Sequence, residues 1–402
     1  MDLGYGTEYD AHREQVRSFL RAHWPPPEAN GDAPGAEPVR RFRRAGTDAG
    51  YLYRNIPRRY GGSDQAPDIL AAQIIREEFA AVRAPMELTG QGPQMLAPTL
   101  LECGSDWQKD LFVRQAIEGE HTWCQGYSEP GAGSDLASLR TTGELRDGEW
   151  VINGQKIWTS HWRTAQYMFA LVRTEPEAPK HAGISYLLLE MDQPGVEVRP
   201  LKQITGESEF AEVFFDDART PADWIVGERG EGWTVSRSLL RHERNMIGGA
   251  DRSGALFRSL LRLARKARID GRPAIEDRQV REALADIYGY VETQRCSSYV
   301  QLTRELQGRD PGTLPMLNKI SDTNIVQQVS KLAHRLLGAE SALAPRGQPT
   351  GRTSGSEKWT NQFMGSLGLA IAGGTSNIQR NIIAERGLGL PRDAAADRDS
   401  AP

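Results

Sequence analysis

Cysteine is scarce in this chain. Cys103, Cys124 and Cys296 are the only three in 402 residues, and no two of them form a CxxC pair. That excludes a disulfide framework and a thiolate metal cluster, so no metal site is expected. Lysine is scarce too: eight of the 49 basic residues are lysine, which leaves 41 arginines, set against 53 acidic residues. A formal net charge of −4 with dispersed arginines gives no basic face of the kind nucleic acid needs. No run of about 18 apolar residues occurs, so no membrane span is expected. The first residues, Met1-Asp2-Leu3-Gly4-Tyr5, lack a basic segment leading into an apolar one, so no signal peptide is expected. No internal repeat is visible. A cytoplasmic globular protein is the default expectation.

The chain is long enough for one large domain or two to three smaller ones. Its periodicity changes twice. Residues 1–120 read as helical segments. Ile69 to Arg83 puts Ile69, Ala72, Ile75 and Phe79 on one face, and Asp106 to Glu118 carries Trp107, Leu111, Phe112 and Ile117. The Pro-rich stretch from Trp24 through Pro38 reads as a loop, and Arg58 to Gly62 as a turn. Residues 121–231 are β-rich, with runs at Tyr167–Arg173, Ile184–Glu190 and Ala211–Phe215. Asn153-Gly154 lies between two β-rich runs and predicts a hairpin. These strands predict a small antiparallel sandwich or barrel. Residues 232–392 return to helix. The segments are Trp233–Arg268, Gln279–Leu306, Leu317–Leu337 and Ser356–Arg386, the last interrupted near Gly373-Gly374. Four long helices predict a bundle. The class is α+β multidomain, with a disordered tail expected over 393–402.

One stretch gathers chemistry: Trp123-Cys124-Gln125-Gly126-Tyr127-Ser128-Glu129-Pro130-Gly131-Ala132-Gly133-Ser134-Asp135-Leu136. Small residues let a ligand approach the backbone, and Ser128, Ser134 and Asp135 suit turns and anion-facing amides. Trp123 and Tyr127 supply aromatic surface. Such a loop suits a planar ring with a phosphate tail. It also reads as an ordinary Gly/Pro turn between strands.

At Ser128 to Asp135 the sequence resembles the acyl-CoA dehydrogenase family. Three further motifs follow in the family's order: Asn153 to Ser160, Phe214 to Trp233, and Gly374-Thr375-Ser376-Asn377-Ile378-Gln379-Arg380 through Ala384. The resemblance covers about residues 105–392 and implies an N-terminal helical domain, a middle β-barrel or sandwich, a C-terminal four-helix bundle and bound FAD. Tyr127 and Ser128 match residues facing the pyrimidine side of the isoalloxazine. Gly133 and Ser134 match contacts near the pyrophosphate and the substrate carrier. Trp158, Thr159 and Ser160 match the segment that packs on the ring near N5. Thr375 and Gln379 match the pair that holds the adenosine half. Read singly, Trp158 has a lesser alternative as a core residue and Thr375 one as a helix N-cap.

The reaction implied is α,β-dehydrogenation of an acyl thioester, with the α-proton going to a carboxylate and the β-hydride to flavin N5. Many family members place the base just before the Gly-Thr of the last motif. Here that position is Gly373, which has no side chain. A second subset places it on the first long helix of the bundle, where Glu243 stands in Arg241-His242-Glu243-Arg244. Glu243 is therefore the expected base and Arg244 an orienting residue. The Gly373 backbone N–H is the expected donor to the thioester carbonyl. Read without the resemblance, Glu243 is a solvated helical residue paired with Arg241 or Arg244, and His242 is packed or at the surface. Small residues Gly248 and Gly249 one turn on fit a pocket kept free of bulk.

The chain departs from the family in two places. The Arg-x-x-Phe-Gly motif is absent from Arg268 to Asp277, and the Gln-x-x-Gly-Gly motif is eroded to Arg335-Leu336-Leu337-Gly338-Ala339-Glu340. Both reach across subunits in the family. Their loss resembles bacterial members acting on steroid side chains, dicarboxylates or other bulky, branched or cyclic acyl groups. The partners implied are an acyl-CoA, an electron-transfer flavoprotein, and either a second copy in a homo-oligomer or a related subunit in a heterotetramer. The alternatives are a non-catalytic FAD-binding subunit, a dehydrogenase of acyl-carrier-protein thioesters in secondary metabolism, and a flavin oxidase.

Overall fold

The computed structural model describes residues 6–24, 35–247, 250–342 and 356–391; side chains at 244–251 and 305–306 lie outside that description, as does the 393–402 tail. The first tract is helical. Its helices are α1 (Asp10–His23), α2 (Ala36–Asp48), α3 (Ile69–Ala81), α4 (Ala97–Cys103), α5 (Asp106–Gln108) and α6 (Arg114–Glu118). Pro38 lies inside α2 rather than in a loop. Proline is tolerated there because first-turn amides have no intrahelical acceptor. The buried face of α3 is Ala71, Ile74, Ile75, Glu78 and Phe79, rotated from the expected one. The reason is electrostatic. Arg13 and Arg17 of α1 bind Glu78 at 2.5 and 2.8 Å and draw it inward. A π turn, Lys109–Val113, joins α5 to α6 and leaves Leu111 exposed while Phe112 is buried.

The second tract is a sheet of β1 (Trp123–Gly126), β2 (Thr142–Arg146), β3 (Glu149–Ser160), β4 (Tyr167–Arg173), β5 (Ile184–Glu190), β6 (Val196–Leu201), β7 (Phe210–Pro221) and β8 (Ile225–Val226). Seven strands run in the order β6-β7-β3-β2-β4-β5-β8, and β1 pairs with β4. The β1–β4 pairing is parallel, so the sheet is mixed rather than wholly antiparallel. The expected hairpin at Asn153-Gly154 does not form. Both residues lie within β3, at a register shift against β7. The turn sits instead at Asp147-Gly148, where φ is +52° and +83° and Arg146 pairs with Glu149. Two successive left-handed residues match the twist of the strands they join. Strands β4 and β5 are buried on both faces. Phe169, Leu171, Tyr186 and Leu188 face the helical tract, while Met168, Ala170, Val172, Leu187 and Leu189 fill the sheet's own core.

The third tract holds α7 (Gly232–Ile247), α8 (Ala250–Lys266), a two-residue hairpin of β9 (Arg268–Ile269) and β10 (Arg272–Pro273), α9 (Arg278–Leu306), α10 (Leu314–Leu337), α11 (Ser356–Leu369) and α12 (Ser376–Ile382). Helices α8 to α11 enclose a core of Phe257, Leu260, Leu284, Ile287, Ile325, Val329 and Trp359. Arg268 leaves the helix for the short hairpin. The interruption expected near Gly373-Gly374 is present between α11 and α12. Helix α7 packs on β5, α4 and α10, so it bridges all three tracts. No described helix is long and apolar enough to cross a membrane.

Gly154 shows how tightly the loop's support is built. A Cβ there would lie 2.6 Å from Thr141 Oγ1 and 2.7 Å from its Cα, at φ +147°. Gly154→Ala is expected to cost about 2 kcal/mol. A denaturation midpoint equal to that of the unaltered chain would show that the bulge gives way instead.

Candidate functional site

The loop after β1 is held at both ends. At its start, Lys156 of β3 is fully buried and donates to Glu129 Oε1 at 2.9 Å and to the Tyr127 carbonyl at 3.1 Å. The Glu129 carboxylate also accepts from the backbone N–H of Arg140 and Thr141, at 2.6 and 2.9 Å. Burial pushes Lys156 down to about 8. The Lys156 charge and the bonds from Thr141 and Arg140 outweigh burial and hold Glu129 below the usual carboxylate range. At neutral pH both groups are therefore charged. Glu129 and Ala132 exchange backbone hydrogen bonds across Pro130-Gly131. At the far end Arg173 donates to the Ala137 and Leu139 carbonyls at 2.6 and 3.2 Å. Asp135 takes Lys180 at 2.6 Å and Ser138 at 2.5 Å.

Between these anchors the loop is open. A Cβ built at Gly131 or Gly133 meets nothing within 4 Å, and Ser134 is exposed. A cleft of about 580 Å³ runs beside it, bordered by Pro130, Gly131, Asp135, Ser138, Arg140 and Gln155. The aromatic surface expected from Trp123 and Tyr127 is turned the other way. Both rings are buried in the core shared with the helices, and only the backbone of Tyr127 remains on the loop side. The exposed aromatic is Trp158, 57% accessible and at φ +63°, beside a register shift against β7. A non-glycine residue in that region is held there by its surroundings. Ile157 N–H donates to the Ser128 carbonyl at 2.9 Å, which fixes bulge to loop. Thr159 is fully buried and its hydroxyl has no partner. Ser160 is half-buried and pairs with Phe210.

The opposite side is built by the bundle. Thr375 caps α12, accepting from Ile378 N–H at 3.1 Å. Gln379 is 1% exposed; its Nε2 donates to the Gly373 carbonyl at 3.1 Å and its Oε1 is left unpaired. Gly374 must be glycine, since φ is +86° and a Cβ would meet Gln379 Nε2 at 2.5 Å. Among the described residues the Gly373 N–H donates to no acceptor. Buried Lys319 of α10 donates to the Leu369 carbonyl at 3.0 Å, pinning the start of this turn. Burial lowers Lys319, opposed by the charges of Asp322 and Glu243.

Glu243 stands on α7 between these halves, and its charge is felt by both Tyr127 and Lys319. Its neighbours on the helix are engaged elsewhere. Arg241 and His242 bind Glu102 of α4 at 2.6 and 3.0 Å, and Ser238 donates to the same carboxylate. His242 is thus an anchor, its basicity lowered by burial. The Arg244 side chain and residues Gly248 and Gly249 lie outside the described residues. The fold therefore gathers Tyr127, Glu243 and the turn from Leu369 to Gly373. Among the described residues no hydrogen bond or ring contact joins Ser134, Trp158 or Thr159 to Thr375 or Gln379. No group of three or more His, Cys, Asp or Glu among the described residues could hold a metal ion. Sequence reasoning missed Lys156 and Lys319. The available signal was a lysine at an inward position of an apolar strand or helix, in a chain with only eight lysines.

Three family models match in succession: "Acyl-CoA dehydrogenase, N-terminal domain" over residues 6–120, "middle domain" over 124–218 and "C-terminal domain" over 230–388. The acyl-CoA dehydrogenase IpdE1 of Mycobacterium tuberculosis is 41% identical over 79% of this chain and 80% of its own. Among solved structures, the ChsE4-ChsE5 complex of the same organism is 27% identical with a TM-score of 0.75, over 98% of this chain and 100% of that one. The Tcur3481-Tcur3483 "steroid ACAD" is 27% identical with a TM-score of 0.76 over the same shares.

Lys156→Met leaves Glu129 buried without its cation, and we expect a loss of about 3–5 kcal/mol at neutral pH. The pH dependence should invert. In the native chain the Glu129 contribution is complete above its unfolded value of 4.5 and is lost as pH falls through the lower folded value. In the variant the folded value rises above the unfolded one, so acidification recovers stability. Denaturation midpoints across pH 3–7 for both proteins check the sign.

Proposed function

Because the chain belongs to the acyl-CoA dehydrogenase family of oxidoreductases, we propose that it desaturates an acyl-CoA thioester against bound FAD, with Glu243 as base. The residues present fit a flavin nucleotide. Thr159 Oγ1 and Gln379 Oε1 are buried polar atoms without partners, Trp158 offers an exposed ring, and Gly131 and Gly133 leave room for a phosphate tail. Trp158, Thr159 and Ser160 would hold the ring, Tyr127 and Ser128 its pyrimidine side through the backbone, Gly133 and Ser134 the pyrophosphate, and Thr375 and Gln379 the adenosine half. Bound there, FAD supplies the two-electron acceptor for the hydrogen leaving the β carbon.

The protein's own part is acid–base and electrostatic. The Cα–H bond of a thioester breaks only if its electron pair is stabilised as it forms the new C=C bond. The Gly373 N–H, which has no acceptor among the described residues, is the donor offered to the thioester carbonyl. The Glu243 carboxylate takes the α-proton, and Arg244 orients its helix. The observation that carries this reading is the gathering of Glu243 with Tyr127 and Lys319, while position 373 has no side chain. Likeness to a two-chain "steroid ACAD" supports a bulky, cyclic acyl group and pairing with a related subunit. Exposed Leu367, Ile371, Leu388 and Leu390 supply apolar surface for such pairing or for a second copy. An electron-transfer flavoprotein is the proposed electron acceptor.

Purified protein should be yellow, and a bulky acyl-CoA from a small panel should bleach it. Glu243→Gln should slow bleaching at least about 100-fold while retaining the colour. Unchanged bleaching would refute the base assignment and turn attention to a non-catalytic subunit.

A further inference from the structure

The chain encloses two lysines and treats them differently. Lys156 faces the Glu129 carboxylate at 2.9 Å. Lys319 is 0% exposed and forms no ion pair among the described residues. Its ammonium donates instead to the Leu369 carbonyl at 3.0 Å. A buried charge without a counter-ion is costly, so its retention calls for a reason. Leu369 is the last residue of α11, where carbonyls lack intrahelical donors. Other side chains of α10 reach the same helix. Gln327 donates to the Ser366 carbonyl at 3.3 Å, and Thr323 and Ser330 donate to the Leu369 and Gln362 carbonyls at 3.4 Å. Positions 319, 323, 327 and 330 share one face of α10, and 362, 366 and 369 share one face of α11. Of these cross-helix bonds, that of Lys319 is the shortest. In the turn beyond, the Gly368 carbonyl accepts from Ile371 and Ala372 N–H, that of Ala370 from Ser376 N–H, and that of Gly373 from Gln379. The Gly373 N–H has no acceptor among the described residues.

We propose that Lys319 is a positioning residue for the reaction. Its ammonium fixes the end of α11 and offsets that helix's negative pole, so that the Gly373 N–H can meet the charge developing on the thioester carbonyl oxygen. This role rests on the reading above, in which that N–H is the donor. Two effects follow from one bond. The first is position. Residues 370–373 form a turn, so the place of the amide depends on where α11 stops. A displacement of about 1 Å in a reacting geometry is enough to slow a reaction substantially. The second effect is charge. A helix carries about half a negative charge at its C-terminus. Left bare, that pole would repel the oxygen that gains negative charge as the α-proton leaves. An enclosed ammonium cancels it where water does little screening. Burial opposes the charge on Lys319, and the carboxylates of Asp322 and Glu243 favour it. Asp322 itself accepts from Ser253 at 2.7 Å.

The probe is the enoyl-CoA product of the thioester that bleaches the native protein, carrying a heavy-carbon label at its carbonyl. Its Cα–Cβ bond is already unsaturated, so it stays on the protein without reacting. A hydrogen bond to the carbonyl weakens C=O and lowers its infrared stretching frequency. In the native protein the bound stretch should lie below that of the free thioester. Lys319→Met is similar in length and apolar. It should return the stretch most of the way to the free value and lower kcat about 10- to 100-fold, with KM little changed. Thermal unfolding confirms that the variant folds. Should it not, Lys319→Gln, which removes the charge and keeps a neutral donor, should lose part of the shift and is read in the same way. A stretch equal to the native one, whatever the loss of activity, would make Lys319 a structural residue and overturn the proposal with the Gly373 assignment intact. A native stretch at the free value would instead remove Gly373 as donor, and the role of Lys319 falls with it.

Discussion

One buried ion pair carries the site. Lys156 and Glu129 face each other inside the protein, and between them they hold the Tyr127 carbonyl and the amides of Arg140 and Thr141. A buried pair of this kind adds little stability over a well-packed apolar pair, because both ions must leave water. What it adds is position. It ties a loop with two open glycines to the strand that carries Trp158 and Thr159, so the polar backbone, the exposed ring and the unpaired hydroxyl stay in register. The neighbouring constraint at Gly154, where Thr141 leaves no room for a Cβ, belongs to the same junction.

Helix α7 is the second organising element. Glu102 fastens one side of it to α4, and its apolar residues Val235 and Leu239 join the core shared with the sheet. The bundle meets it through α10, whose Lys319 holds the turn that ends in Gly373. In the proposed reading, a base on α7 rather than on that turn changes only which element supplies the carboxylate. The turn keeps a backbone donor, and glycine at 373 and 374 follows from φ values of +61° and +86° there.

Much of the chain was legible in its sequence, and the misses have physical causes. Helix and strand followed periodicity well where one face was buried: β4 and β5 occupy the expected residues, as does most of α9. The hairpin was misplaced because Asn153-Gly154 and Asp147-Gly148 carry the same turn signal, and only cross-strand pairing with β7 and the fit to Thr141 decide between them. The face of α3 was misjudged because Glu78 is buried by arginines from another helix, which no local pattern reports. Motif resemblance located the loop, the bulge and α7. It did not reveal that the Tyr127 ring points into the core, since that depends on Phe169 and Tyr186 from strands far along the chain.

The shortage of lysine has a consequence for the chemistry of the surface. Outside, nearly all positive charge sits on guanidinium groups, which stay protonated at any pH at which the fold persists. Of the eight amines, Lys156 and Lys319 are wholly enclosed. An acylating reagent in solution thus meets six side-chain amines on the native molecule and reaches the other two only when the sheet or bundle opens. Those two lysines are internal reporters of opening at the very places where the loop and the turn are held.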